Sequence, residues 1–161
     1  MRNERAEGFA DEFATANQEA IDFVGSCSEE QWQTIVLGEE WTVGVVLHHI
    51  AESHMNGLRW LESMARGEPV TDTVGDIEDR NVEHGRRSSG VPIVMTITLL
   101  RENGRRTEEV LRRLTDQELA RTAPFGPAGG RLMPAEGMAA VLARHAREHL
   151  SHARGAIQGS S

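Results

Sequence analysis

Apolar positions recur along the chain at helical spacing. Phe9, Phe13, Ala16, Ala20 and Phe23 follow one another at steps of four and three, which predicts a first helix ending near Gly25. Ser28 to Gln31 reads as a capped turn, with Ser28 as cap and Gln31 reaching back, and Trp32 seals it onto the bundle. A second helix is predicted from Thr42 as N-cap to about Arg66, stopped by Gly67 and Pro69, with Val43, Val46, Leu47, Ile50, Leu58 and Leu61 on its buried side. The stretch from Val70 to Gly90 is polar, and Asp76 to Arg87 reads as a short helix crossing the bundle. Pro92 opens a third long helix, in which Ile93, Ile97, Leu100, Gly104, Thr107, Leu111 and Leu114 keep a heptad spacing to Thr115. Thr115 to Glu118 is a second capping turn. A loop holding Pro124, Gly126, Pro127, Gly129 and Gly130 leads to Pro134, which opens a last helix running to about Gln158. No run alternates as a strand would. The expected fold is all-α: an antiparallel four-helix bundle with short extra helices in its connections, one domain over residues 1–161.

Charge narrows the partners. Seventeen basic residues against 25 acidic ones give a net charge of −8, which repels nucleic-acid phosphates and anionic membranes alike. Every basic residue is Arg; there is no Lys and no Tyr, a bias expected of a G+C-rich genome. The single cysteine, Cys27, can make neither an internal disulfide nor a cysteine-based metal cluster. Met1 to Arg5 lack the layout of a signal peptide, and no apolar run approaches the roughly 18 residues of a membrane span, so a cytoplasmic protein is expected.

The seven histidines are unevenly placed. His48, His49 and His54 lie on the second helix, His145, His149 and His152 on the last, and His84 in the connection. On the last helix the buried stripe begins with Met138 and Leu142 and continues in the same register through His145, His149 and His152. His145 and His149, four apart, project from one face, the spacing by which one helix donates two ligands to a metal. A lone inward histidine is more often a hydrogen-bonded core residue, but two stacked imidazoles need partners, and one divalent cation serves both. The residue after His145 is Ala146 rather than Glu, which excludes the H-E-x-x-H protease mechanism. A third ligand must come from another helix: His54 lies in the centre of the second helix's apolar stripe, His49 on its flank with Ser53, Asn56 and Trp60, and periodicity slightly prefers His54. His48 projects about 100° from His49 and reads as a solvated or interface residue.

Two motifs resemble a known group. Trp41 to Ser53 (WTVGVVLHHIAES) resembles the W-[ST]-V-x-x-V-x-x-H-[LI] signature of the DinB/YfiT-like superfamily, and His145 to His152 (HAREHLSH) resembles its H-x-x-x-H-[LR]-x-[QH] signature, in the same order and over nearly the whole chain. Carried over residue by residue, the resemblance implies metal ligands at His49, His145 and His149, overruling the angular preference for His54. It implies a divalent ion, zinc or nickel, with open coordination positions. His152 stands where the family often has Gln.

The superfamily includes thiol-dependent transferases and isomerases, a mycothiol-dependent maleylpyruvate isomerase among them. The resemblance therefore implies a thiol cosubstrate of the mycothiol type and a small-molecule electrophile as partners. The physical logic is that a bound cation lowers a thiol's pKa and yields the attacking thiolate. Asn81 and His84, three apart, would reach over the metal if their segment is helical, and Arg147, with Arg144 and Arg154, could hold an anionic cofactor or substrate, although most such arginines pair with acids. Trp41 reads chiefly as a packing staple, and Met133 and Met138 as core filling. The rival expectation is a non-catalytic metal-binding or interaction bundle. Metal-assisted hydrolysis ranks last for want of an evident general base. A homodimer through the first helix is expected.

Overall fold

A computed structural model describes residues 3–159; Met1, Arg2, Ser160 and Ser161, and with them part of the N-terminal reading, lie outside the described residues. Four long helices form the bundle: α1 (Glu4–Ser26), α3 (Val43–Arg66), α5 (Ile93–Arg113) and α7 (Ala135–Gln158). Three shorter ones sit in the connections: α2 (Glu29–Trp32), α4 (Val74–Arg87) and α6 (Asp116–Ala120). None is long and apolar enough to cross a membrane.

The predicted boundaries follow from local chemistry. Thr42 caps α3 by accepting from the Val45 amide, and Gly67 ends that helix in the left-handed region at φ 77°. Ser28 and Thr115 each make a reciprocal capping box, with Gln31 and Glu118. The polar connection starts its helix earlier than the sequence pattern placed it, because Thr73 caps α4 in a third capping box, with Asp76.

The expectation of no strands is corrected. Ile35–Val36 (β1) pairs antiparallel with Trp41–Thr42 (β2), and Thr122–Phe125 (β3) with Arg131–Pro134 (β4), around a 3₁₀ turn at Gly126–Ala128. Strands of two and four residues, two of them carrying proline, are too short to alternate visibly. Val70 bridges to the second hairpin, its amide donating to Pro124 O and its carbonyl accepting from Gly126 N.

Helix directions set the architecture. Contacts of Asn17 with Leu100 and of Arg112 with Asp11 make α1 and α5 antiparallel, while Arg5 with Glu136 and Arg147 with Glu19 make α1 and α7 parallel. On the other side, His49 meets His149 and Gly57 meets Leu142, so α3 and α7 are antiparallel. His48 meets Thr96 and Ala51 meets Asn103, so α3 and α5 are parallel. Each long helix thus has one antiparallel and one parallel neighbour. Because α3 and α5 run the same way, the chain must return along the bundle between them, and α4 is that return.

The core divides into two apolar clusters. One is built around Trp32, Leu47, Ile50, Leu100 and Leu150, the other around Phe13, Leu61, Met64, Leu111 and Leu119. Close approach of α1 and α5 depends on Gly104, where a Cβ would collide with the Asn17 amide. That amide donates to Leu100 O at 3.0 Å, inside the core. Gly104→Ala should therefore destabilise the fold by about 2 kcal/mol or more, through overpacking and an unsatisfied amide, read as a lower urea midpoint at unchanged slope.

Candidate metal centre and its pocket

Three imidazoles meet near the start of α3 and the middle of α7. Ligand nitrogens of His49, His145 and His149 lie within 4.8 Å of one another. The His145 and His149 rings are 4.5 Å apart, and His49 is 5.3 Å from the first and 4.9 Å from the second. Burial, reinforced by the neighbouring histidines, pushes the pKa of His49 down to about 2 and that of His145 to about 4. Both rings therefore keep lone pairs available at neutral pH, as a metal ligand must.

The donor set fits a divalent ion. His149 Nδ1 lies 3.2 Å from both Glu39 oxygens, leaving its Nε2 for a metal in the carboxylate–histidine arrangement typical of metal sites. Glu39 also accepts from His152 Nδ1. Burial works to raise the Glu39 pKa, but the hydrogen bonds from His149 and His152 outweigh it and the net shift is downward. The His145 ring makes no hydrogen bond among the described residues.

Glu39 reaches the site on the turn between β1 and β2. In that turn Gly38 and Glu40 both have positive φ, 87° and 57°, and Glu40 is the one non-glycine residue so placed among the described residues. The strained turn carries Glu39 against α7. Glu39 was not anticipated from the sequence, since a glutamate 110 positions away in a polar turn carries no periodic signal.

Trp41, expected mainly as a staple, also walls the site. Its indole lies 5.1 Å from the His49 ring and 5.3 Å from His84, and it is seated against Gly85 of α4, where a Cβ would stand 2.5 Å from Nε1. Beyond the imidazoles opens a cavity of about 250 Å³. Its walls are Trp60, Met138, Val141 and Leu142 on the apolar side, with Ser53, Asn56, Arg80 and Asn81 supplying polar groups. Met138 therefore both fills the core and faces the cavity.

The remaining histidines are spoken for. His54, which periodicity preferred, is 2% exposed and buried beside Phe13; its Nε2 donates to Asn17 Oδ1 at 2.8 Å, and burial pushes its pKa down to about 3. The reading of His48 as solvated or at an interface is corrected: α5 covers that flank of α3, and His48 Nδ1 hydrogen-bonds the Thr96 hydroxyl at 2.9 Å. His84 packs 5.3 Å from the His49 ring, but both its nitrogens are engaged, Nδ1 with Glu52 at 2.9 Å and Nε2 with Val45 O at 3.0 Å.

The cofactor residues divide. Asn81 lines the cavity and His84 buttresses His49 from behind. Arg147 is corrected: helical geometry turns it to the α1 side, where its Nε faces Glu19 at 3.9 Å, outside the cavity lining. Arg144 pairs with Glu148 and Arg154 lies over the Phe23 ring. The cation that does line the cavity is Arg80, on the polar connection where sequence pattern was least informative.

A family model described as the DinB superfamily matches residues 12–153. A protein of Halalkalibacterium halodurans, provisionally named a metal-dependent hydrolase, is 30% identical over 118 residues, which are 73% of this chain and 66% of that protein. Among solved structures, YfiT from Bacillus subtilis, provisionally assigned as a metal-dependent hydrolase with an unusual four-helix bundle topology, matches with a TM-score of 0.79 at 20% identity, over 99% of this chain and 90% of its own. A mycothiol-dependent maleylpyruvate isomerase matches with a TM-score of 0.71 at 16% identity, over 94% of this chain and 60% of its own. The chain thus spans just under two thirds of the hydrolase relative and three fifths of the isomerase. At these identities the two structures show the shared fold.

Acid should test the buried imidazoles. Below the ordinary histidine value of 6.5 the unfolded chain takes up protons that folded His49, His54 and His145 refuse, so stability falls as pH falls. Each contributes about 1.4 kcal/mol of loss per pH unit until its folded pKa is passed. Urea midpoints of metal-free protein should drop steeply from pH 7 to pH 5, and a flat profile would contradict the buried neutral cluster.

Proposed function

We propose, from the fact that this chain belongs to the DinB superfamily, that it is a metal-dependent enzyme in which His49, His145 and His149 hold one divalent ion, zinc or nickel, facing a small-molecule pocket. The observation that carries the reading is three imidazole donors converging on one end of a cavity, two of them held neutral by burial. Such an ion, when bound, lowers the pKa of a thiol or a water that reaches it and so supplies a nucleophile.

The reaction we favour is attack by a low-molecular-weight thiol, of the kind the isomerase neighbour's name records, on an electrophilic small molecule. Among the described residues lining the cavity there is no carboxylate to act as general base. A thiol would not need one, since a thiol whose pKa the ion lowers would give its proton to solvent before it attacks the carbon. Glu39 fixes the ring of His149, Trp41 and the α7 side chains wall the pocket, and Ser53 and Asn56 offer hydrogen bonds beside the imidazoles. Hydrolysis is the second reading, favoured by the provisional naming of two relatives.

Elemental analysis of tag-free protein tests the ion: about one per chain in the wild type, lost in both His49→Ala and His149→Ala. No ion after incubation with zinc or nickel would end the enzymatic reading. On metal-loaded protein, heat of binding with mycothiol but no turnover in an ester and amide screen supports the thiol reaction, and the reverse pattern supports hydrolysis. Glu39→Gln should raise the metal Kd by roughly 10- to 100-fold while leaving the fold intact; competition with a chelating dye measures it.

A further inference from the structure

We propose that the molecule occupying the cavity carries a carboxylate seated on Arg80, with a small apolar body lying against α7; this deepens, and rests on, the reading of the cavity as the substrate site. Arg80 is the one cation in the lining, and no acid among the described lining residues opposes it. It is also held in place. Its Nη2 donates to Asp72 Oδ2 at 2.9 Å, and its guanidinium carbon lies 5.9 Å from the centre of the Trp60 ring.

Asp72 does not neutralise this group. The same Oδ2 also accepts from Arg59 Nη2 at 2.8 Å and from Trp60 Nε1 at 2.9 Å. One carboxylate therefore meets two guanidinium groups and cannot cancel both; Asp76, one turn earlier on α4, is the further acid that acts on Arg80. The Arg80 side chain makes no other hydrogen bond or ion pair among the described residues, so most of its five donors remain open to a ligand. A planar fork with Asn81 next to it suits a carboxylate, which it can grip with two parallel hydrogen bonds.

Size and polarity define the rest of the ligand. At about 250 Å³ the cavity falls below the roughly 300–1,000 Å³ of drug-sized sites, so the ligand is small. Met138, Val141, Leu142 and Ile77 give it an apolar wall. The carboxylate at Arg80 and the imidazoles at the other polar side would hold such a molecule by one end and present the other to the nucleophile. Arg80 also borders an adjoining groove with the acids Glu52, Asp79 and Glu83, of which Glu52 is tied to His84 and Arg87 and Glu83 to Arg86.

The test uses phenylacetate and its uncharged amide, phenylacetamide, titrated by calorimetry into metal-free and zinc-loaded full-length protein. The indole resonance of Trp60 reports whether the cavity is filled. In metal-free protein the acid should bind at least about tenfold more tightly than the amide, and Arg80→Gln should erase that preference. Arg80→Lys, which keeps the charge, should retain part of it. Equal affinities, an unchanged preference in Arg80→Gln, no shift of the Trp60 resonance, or no binding of the acid would overturn the proposal. Zinc stoichiometry, measured on the same samples, separates the two ideas: zinc bound without a preference for the acid defeats only the carboxylate, and a preference for the acid without zinc defeats only the metal enzyme.

Discussion

Two successive long helices, α3 and α5, run in the same direction, and much else in the structure follows from that. A parallel pair cannot be joined by a tight turn, so the chain has to travel back along the bundle. The return segment, α4, is tied to α3 by His84 to the Val45 carbonyl, by His84 and Arg87 to Glu52, and by Arg80 to Asp72 of the connection, which in turn accepts from Arg59 and Trp60 of α3. It lies over the flank of α3 that carries His49, Ser53, Asn56 and Trp60, and with α7 it turns an open groove into a cavity. The pocket is thus a product of helix direction. Had the long helices simply alternated, nothing would roof the histidines.

Within that enclosure the histidines are at odds with water. Burial makes protonation of His49 and His145 costly, and each ring stands near others that would repel its charge. Charge is kept to the rim: Glu39 on one side, tied to His149 and His152, and Glu52 on the other, tied to His84 and Arg87. A neutral donor cluster flanked by anchored carboxylates is the electrostatic arrangement that favours a cation at its centre.

The bundle was legible because its signals are local and repeated. Caps at Thr42, Ser28 and Thr115 and the stop at Gly67 mark helix ends with short-range hydrogen bonds that residue type alone reveals. The i, i+4 pair His145 and His149 was legible for the same reason. The choice of His49 over His54 came from the motif resemblance and not from periodicity, because helical angle locates a face but not what packs on it: Asn17 of α1 claims His54, and the α3–α7 groove receives His49. The burial of His48 depends likewise on a neighbour, α5, that no period in α3 encodes. Glu39 and Arg80 were hidden for a stronger reason. Both stand in polar connections, where sequence pattern is silent and only the course of the chain decides what they meet.

The roof of the pocket contributes almost nothing to the core. Neither apolar cluster contains a residue of α4, and among its fourteen residues only His84 is buried. Core packing and the lining of the pocket's roof are therefore carried by separate parts of the chain. Substitutions at Ile77, Arg80 and Asn81 can accumulate with little effect on the four long helices, so descendants of this bundle are free to exchange one ligand for another while the imidazoles beneath stay where they are.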